Sequence, residues 1–546
     1  MVRPIQHDPI PPRPARRPAR TLTAAALTGA LAAGLAACGL GGAAEPPPAG
    51  APVAGGGTGT SPECPAVAAP GDSRERELRA MWIATVGNID WPDKGDDAEQ
   101  QKAHYRRLLD RARDLNLNSV FVQIRPNSDA FYDSPYEPWS KWITGTPGKN
   151  PGYDVLDFMI KESHARNLEF HAWFNPYRVA RETDRSKLAP DSPARKNPSW
   201  VREYGGGLWY DPGLPEVRDL ATKAVLDVVR KYDIDAVHFD DYFYPYPDGS
   251  GDYPDEATYR RFGDGKTKAA WRRGNVDTLV RDLHGQIRRA KPHVRFGISP
   301  FGVWRNKSSD PAGSDTRALQ SYDAQYADTR RWIKEGWIDY VTPQLYWAIG
   351  DSRADYGTLV AWWSKLVQGT GVQLTIGQAA YRGGESGPWK NPAELSKHLT
   401  LNQRHPQVRG DVYFSAKDMV GNRAGLAQRV RKDHYGRPAL PPPAPGGKAP
   451  AAVRSVTAAA DGDRGVRVGW QPSRDATAYA VYRVDGKGAA CAAVPADRLL
   501  TSVRGGGIVD PTAKAGQTYT YYVTALDRLH HESAPARAAT VTAPGR

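Results

Sequence analysis

Residues 238–242 read His-Phe-Asp-Asp-Tyr, two adjacent carboxylates at the end of an apolar run. Along an extended strand, successive side chains face opposite sides. Asp240 therefore shares a face with His238 and Tyr242, while Asp241 takes the other face and falls at the rim. Neighbouring ionised carboxylates push their pKa values apart. A carboxylate held this way can stabilise an oxocarbenium-like transition state, as nucleophile or as base, with His238 and Tyr242 orienting it. Such chemistry normally takes a second carboxyl group. The remaining acids are in loops (Asp90, Asp129, Glu137, Asp211 and Asp315), and Asp211, in Trp209-Tyr210-Asp211-Pro212, and Asp241 are the candidates for that role. An Asp pair can also hold a divalent cation. No further acids are expected to converge at strand ends, so neither a metal nor another cofactor is expected.

The elements that must position these groups repeat with one rhythm. Apolar runs at 78–87, 119–126, 169–176, 236–243, 295–302, 338–347, 373–381 and 410–416 read as buried strands. Helix-length amphipathic stretches at 98–115, 153–167, 215–232, 275–291, 324–336, 356–368, 392–404 and 422–433 follow them. Buried parallel strands joined by crossover helices fit an α/β fold, a (β/α)8 TIM barrel. A doubly wound sheet is the alternative, but no GxGxxG turn follows the first strand. Several strands carry one apolar parity and one polar-aromatic parity. His171, Trp173 and Asn175 oppose Phe170, Ala172 and Phe174; Thr342, Gln344 and Tyr346 oppose Val341, Pro343 and Leu345; Gln123, Arg125 and Asn127 share one parity. In a barrel the second set faces the lumen and its C-terminal mouth. Buried polar groups need partners, so their gathering there reads as a ligand site, with a satisfied polar network as the other explanation. Sugar rings pack on aromatic rings and their hydroxyls need Asn, Gln, Arg and His. Arg125, Asn127, Asn175, Tyr177, His238, Tyr242, Gln344, Tyr346 and Trp347 are the candidate binding residues.

The chain has 546 residues, 40% apolar and 24% charged, enough for several folded domains. Its net charge of +13 is spread along the sequence without a long basic block. That argues against a nucleic-acid partner and suits an anionic envelope polymer or membrane surface. Three cysteines exclude a disulfide scaffold and a multi-cysteine zinc site. Basic residues followed by a short apolar run end in Leu35-Ala36-Ala37-Cys38, a secretory signal whose final Cys resembles the bacterial lipobox. The reading is a signal peptide over 1–37, then lipidated Cys38 and a Gly/Pro/Ala-rich tether over 38–75. The barrel is expected over 76–438 and a Pro-rich linker over 439–450. Cys64 and Cys491 could pair in an exported protein, or both remain free. Residues 451–546 change to short alternating runs (VRVGW, AYAVYRV, YTYYVTALD) and resemble a fibronectin type III domain, an all-β sandwich.

The segments ELRAMWIATVGNIDWP, VFVQIRPNSDAFYDS, HAWFNPYRV, WYDPGLPEVRD, VHFDDYFYPYP, FGISPFGVWRN and YADTRRWIKEGWIDYVTPQLYW resemble glycosyl hydrolase-like family ten. The similarity runs from residue 76 to about 435. It implies a TIM-barrel glycosidase of the bacterial cell envelope, often a lipoprotein. Some members are associated with peptidoglycan strands stripped of stem peptides. The resemblance also implies that the Asp of the HFDDY motif, Asp240 or Asp241, is catalytic. The expectation is a lipid-anchored hydrolase of cell-wall glycan, on the outer face of the cytoplasmic membrane. The alternatives are a hydrolase of another polysaccharide and a non-catalytic wall-binding lipoprotein.

Overall fold

The computed structural model describes residues 76–546, apart from Ala490, Ala492, Ala539 and Arg546. The signal segment, Cys38, the tether and Cys64 lie outside the described residues; Cys491 is disulfide-bonded. Eight strands form a closed barrel: β1 (Leu78–Ile83), β2 (Ser119–Arg125), β3 (Glu169–Phe174), β4 (Ala236–Phe239), β5 (Arg295–Ile298), β6 (Tyr340–Val341), β7 (Gln373–Gln378) and β8 (Val408–Tyr413). Every neighbouring pair is parallel, and β8 returns to β1 with Leu78 opposite Gly410. The main outer helices are α1 (Ala98–Asp114), α2 (Val155–Ala165), α3 (Pro215–Lys231), α4 (Lys268–Ala290), α5 (Thr329–Lys334), α6 (Tyr356–Val367), α7 (Glu394–Asn402) and α8 (Leu426–Asp433). Aspartates start several of them. Asp97 accepts from the Glu99 and Gln100 amides at α1, and Asp154 and Asp355 do the same work at α2 and α6. Each satisfies amides that would otherwise lack partners.

The two parities sort as the pattern requires. Phe170, Ala172, Phe174, Val237, Phe239, Val341 and Leu345 pack outward with the helices in one core. Trp82, Phe121, Trp173, Ala236 and Tyr340 form a separate cluster inside the barrel. Phe121 and His171 stack there at 4.1 Å, and His238 lies parallel to Tyr340. Gly297 on β5 makes room for that tyrosine, because a Cβ at this position would meet the Tyr340 ring at 2.2 Å.

Three features differ from the expected elements. Helix α4 starts at Lys268, before 275, because its polar first turns are held by Arg272, which pairs with Asp252 and Asp255. Only Tyr340–Val341 of the sixth run pairs as regular strand; beyond it the chain continues through isolated bridges at Gln344. The β3–α3 connection contains a small antiparallel sheet of Arg178–Ala180, Gly207–Tyr210 and Val201–Tyr204.

The C-terminal region is a fibronectin type III-like sandwich. One sheet comprises Arg454–Ala460, Val466–Gln471 and Gly507–Asp510; the other is built on Ala478–Asp485 and Thr518–Leu526. Trp470, Tyr479, Val481, Tyr519 and Tyr521 fill the space between them. The Pro-rich connection lies along the barrel: Leu440 O accepts from Glu77 N (2.9 Å), Pro443 O from Gln373 Nε2 (2.8 Å), and Ala444 N donates to Leu529 O (2.9 Å). The sandwich thus closes the N-terminal end of the barrel, leaving the C-terminal mouth to the β–α loops. Among the described residues, no helix is long and apolar enough to cross a membrane.

Candidate active site

Asp240 follows the last residue of β4 and is 4% exposed. Its Oδ2 accepts from Trp173 Nε1 (3.1 Å) and Asn175 Nδ2 (3.2 Å), and its Oδ1 from the Tyr242 amide (3.3 Å). Three neutral donors hold it in the manner of an ionised carboxylate. Burial and then the charge of Asp241 push its pKa up to about 7, against the pull of Arg178, Trp173 and the Tyr242 amide. Asp241 is 5% exposed and accepts a short hydrogen bond from the Tyr246 hydroxyl. Both carboxyls therefore sit at the mouth, each with its own donors.

The lumen beneath supports them. His238 Nε2 accepts from Trp82 Nε1 (3.3 Å) and lies 2.9 Å from Ser299 Oγ, while its Nδ1 is 3.1 Å from the Tyr340 hydroxyl. Burial, and then His171, hold His238 well below the usual imidazole range, so it is neutral. The indole N–H at Nε2 leaves the ring proton for Nδ1, which donates to Tyr340. Asn175 is clamped with its amide toward Asp240, since its Oδ1 accepts from the Arg178 amide (2.9 Å).

Aromatic rings run past the two aspartates in an unbroken row. Trp209 meets Tyr242 at 6.0 Å, Tyr242 meets Tyr246 at 5.6 Å, Tyr246 meets Phe301 at 6.0 Å, and Phe301 meets Trp347 at 5.4 Å. Tyr346 stands beside it, edge-on to Tyr381 at 5.8 Å. Tyr242, Tyr246, Tyr346 and Trp347 are half-buried, so each keeps an accessible surface at the mouth. Gln344, also half-buried, donates from Nε2 to Ser299 O (3.0 Å) and ties the β6 end to the β5 end.

Six expected site residues have other tasks. His238 and Asn175 are fully buried, with the bonds described above taking up their polar atoms, so they support the site instead of binding a ligand. Arg125 is 1% exposed, pairs with Glu137, and donates to the Asn175 and Pro176 carbonyls, so it braces the β3 end from behind. Asn127 is buried, with its side-chain amide held between Trp142 Nε1 and the Pro126 carbonyl. Tyr177 is fully buried, and its hydroxyl has no hydrogen-bond partner. Asp211 is fully buried and accepts from Arg202 (2.8 Å), Thr258 (2.5 Å) and the Gly213 amide (2.9 Å), none of which bonds Asp240. Arg125, Asn127 and Asp211 are inaccessible with their polar atoms held within the fold, and Tyr177 is sealed off by burial alone, so none of these four meets a ligand. Conversely, Trp173, Arg178, Tyr246 and Ser299 contact the aspartates or their supports. The parity of β3 already placed Trp173 in the lumen; Arg178 opens a short strand within the β3–α3 connection and Tyr246 lies in a loop, and periodicity does not reveal the path of either.

Comparison with known proteins places this site in a family. The model for "Glycosyl hydrolase-like 10" matches residues 77–393. Glycosyl hydrolase YngK of Bacillus subtilis is 46% identical over 484 residues, covering 85% of this chain and 94% of that protein. Glycosyl hydrolase DigH of Escherichia coli K12 is 41% identical over 362 residues, covering 62% of this chain and 82% of that protein. Among solved structures, the PgaB glycoside hydrolase domain of Bordetella bronchiseptica is 14% identical with a TM-score of 0.44, covering 66% of this chain and 98% of that one. The chain belongs to glycosyl hydrolase-like family 10 and is a glycosidase, a hydrolase of O-glycosyl bonds that acts on a polysaccharide.

Proposed function

We propose that this glycosidase cleaves cell-wall glycan, peptidoglycan strands lacking stem peptides, while tethered to the outer face of the bacterial cytoplasmic membrane. The observation that carries the reading is Asp240, poised near neutrality beside a row of aromatic rings. Sugar rings would lie on Tyr242, Tyr246 and Trp347, with the half-buried Gln344 meeting hydroxyls. Asp240 acts as nucleophile or base at the anomeric centre. Trp173 and Asn175 fix its Oδ2, and the lumen network of His238, Ser299 and Tyr340 keeps the β4 end rigid. Asp241, held by Tyr246, is the partner carboxyl. The net charge of +13 favours an anionic envelope polymer as the surroundings. Residues 1–37 would direct export and lipidated Cys38 would anchor the chain, with 38–75 as the tether.

The test is digestion of purified peptidoglycan strands, with and without stem peptides, beside an exopolysaccharide and a storage α-glucan, with products read by mass spectrometry. Cleavage confined to the stripped strands is expected. Cleavage of another glycan alone would move the substrate elsewhere. Anchoring is tested separately: Cys38→Ala should shift the protein from the membrane fraction to the soluble exported fraction, and unchanged fractionation would refute the lipid anchor.

A further inference from the structure

Five arginines are buried in the described residues, and four have a carboxylate partner. Arg79 pairs with Glu77 (3.0 Å), Arg125 with Glu137, Arg272 with Asp255 (2.6 Å) and Arg295 with Glu169. The fifth, Arg178, is 8% exposed and has no carboxylate within 4.0 Å among the described residues. Its guanidinium lies over the Tyr242 ring at 3.8 Å and faces Trp209 at 5.1 Å. It stands close enough to Asp240 to pull that carboxyl's pKa down.

A guanidinium stays charged throughout the accessible pH range, so withholding it from water without a counter-ion is unfavourable. Stacking on an aromatic ring offsets part of that cost and uses the face of the guanidinium. A planar fork of this kind matches a carboxylate through two parallel hydrogen bonds.

We infer that Arg178 is a specificity residue that binds a carboxylate carried by a sugar ring beside the bond being cleaved. The inference rests on the proposed reaction at Asp240 and deepens it by naming the substrate class as acidic glycans. Two chemistries supply such a group. One is the lactyl ether of muramic acid, whose carboxylate is free only when no stem peptide is attached. The other is the carboxylate of a uronic acid. In the first case, a stem peptide would replace the anion with a neutral, bulky amide.

The experiment compares three substrates with the purified chain: stem-peptide-free strands with free carboxylates, the same strands with those carboxylates converted to primary amides, and a polyuronate. The unmodified chain is expected to favour the free acid over the amide by roughly 10- to 100-fold in kcat/KM. Arg178→Gln should bring that ratio close to one, whatever common loss it causes through Asp240. Should Arg178→Gln be too slow to measure, calorimetric binding of both strand forms to Asp240→Asn, with and without Arg178→Gln, gives the same ratio. An unchanged ratio in the variant would overturn the inference and leave Arg178 as a tuner of Asp240 alone. Equal cleavage of acid and amide by the unmodified chain would also overturn it while leaving the wall-glycan reading intact. Cleavage of the polyuronate alone, dependent on Arg178, would uphold the inference and refute the wall-glycan reading.

Discussion

The barrel carries buried carboxylates at both ends, and the two ends treat them in opposite ways. At the floor, Glu169 is bonded to Arg295 and lies 2.7 Å from His530 Nε2 of the sandwich. Asp235 lies 2.8 Å from His164 and within 3.7 Å of Arg504 and Arg528. Burial works to raise both carboxyls, but Arg295 and His530 hold Glu169, and His164 and Arg504 hold Asp235, below the usual range. At the mouth, burial and a second carboxylate prevail over Arg178 and the neutral donors, and Asp240 is pushed up to about 7. Burial is common to both ends; the balance of neighbouring charges decides the outcome. The floor uses its carboxylates as permanent anions that dock the sandwich. The mouth holds one that can change protonation state near neutrality, as a catalytic group must.

The largest effect should follow from Asp240→Asn. Glycan cleavage should fall by about 1,000-fold or more, with the fold retained. The folded-state pKa of Asp240 is above its unfolded value, so the fold favours the protonated form and ionisation is destabilising as pH rises past the unfolded value. The neutral amide should therefore leave the thermal midpoint at pH 8 equal or higher. Near-normal turnover would refute the assignment.

The floor should break differently. Glu169→Gln leaves Arg295 buried without its anion and should cost about 3–5 kcal/mol of stability, read by chemical denaturation, while turnover per folded molecule stays close to normal. The folded-state pKa values of Glu169 and Asp235 are depressed. Their stabilisation is present above the unfolded carboxylate range and is lost as pH falls through those lower values. The docked sandwich should hold across neutral pH and loosen only in strong acid. Loss of turnover with unchanged stability in Glu169→Gln would mean that the floor takes part in the chemistry.

A pH profile of kcat/KM comes next. Asp240 acts when ionised, so the acid limb of the profile should fall about ten-fold per pH unit below about 7. A flat profile between pH 5.5 and 8 would separate the raised carboxyl from catalysis. The smallest effect is expected from Tyr246→Phe, which removes the hydroxyl bonded to Asp241. A loss of roughly three- to ten-fold in kcat is expected, and no change in kcat or its pH profile would mean that Asp241 plays no part.

The same contrast of ends explains what the sequence could reveal. Period-two patterning makes a strand's faces legible, so the alternation alone assigns Trp173, Asn175, His238 and Asp240 to the lumen or its mouth. The sandwich is legible for the same reason, through Trp470 and its alternating strands. Partnerships between loops carry no period. Arg125 reads as a binding residue until Glu137, twelve positions away, is folded back onto it. Asp211 reads as a catalytic acid until Arg202 and Thr258 are seen to enclose it. Arg178 shows the converse: its meaning depends on an absent partner, which patterning cannot show. The docking of His530 on Glu169 spans 361 positions and lies beyond any local reading.

The most direct test of the claim for Asp240 is a crystal structure of Asp240→Asn with a bound oligosaccharide longer than its cleavage product. The account predicts an intact glycan along Tyr242, Tyr246 and Trp347, with one anomeric carbon within about 3.5 Å of the residue-240 side chain. A glycan bound elsewhere, or one whose glycosidic bonds all lie beyond reach of positions 240 and 241, would contradict it.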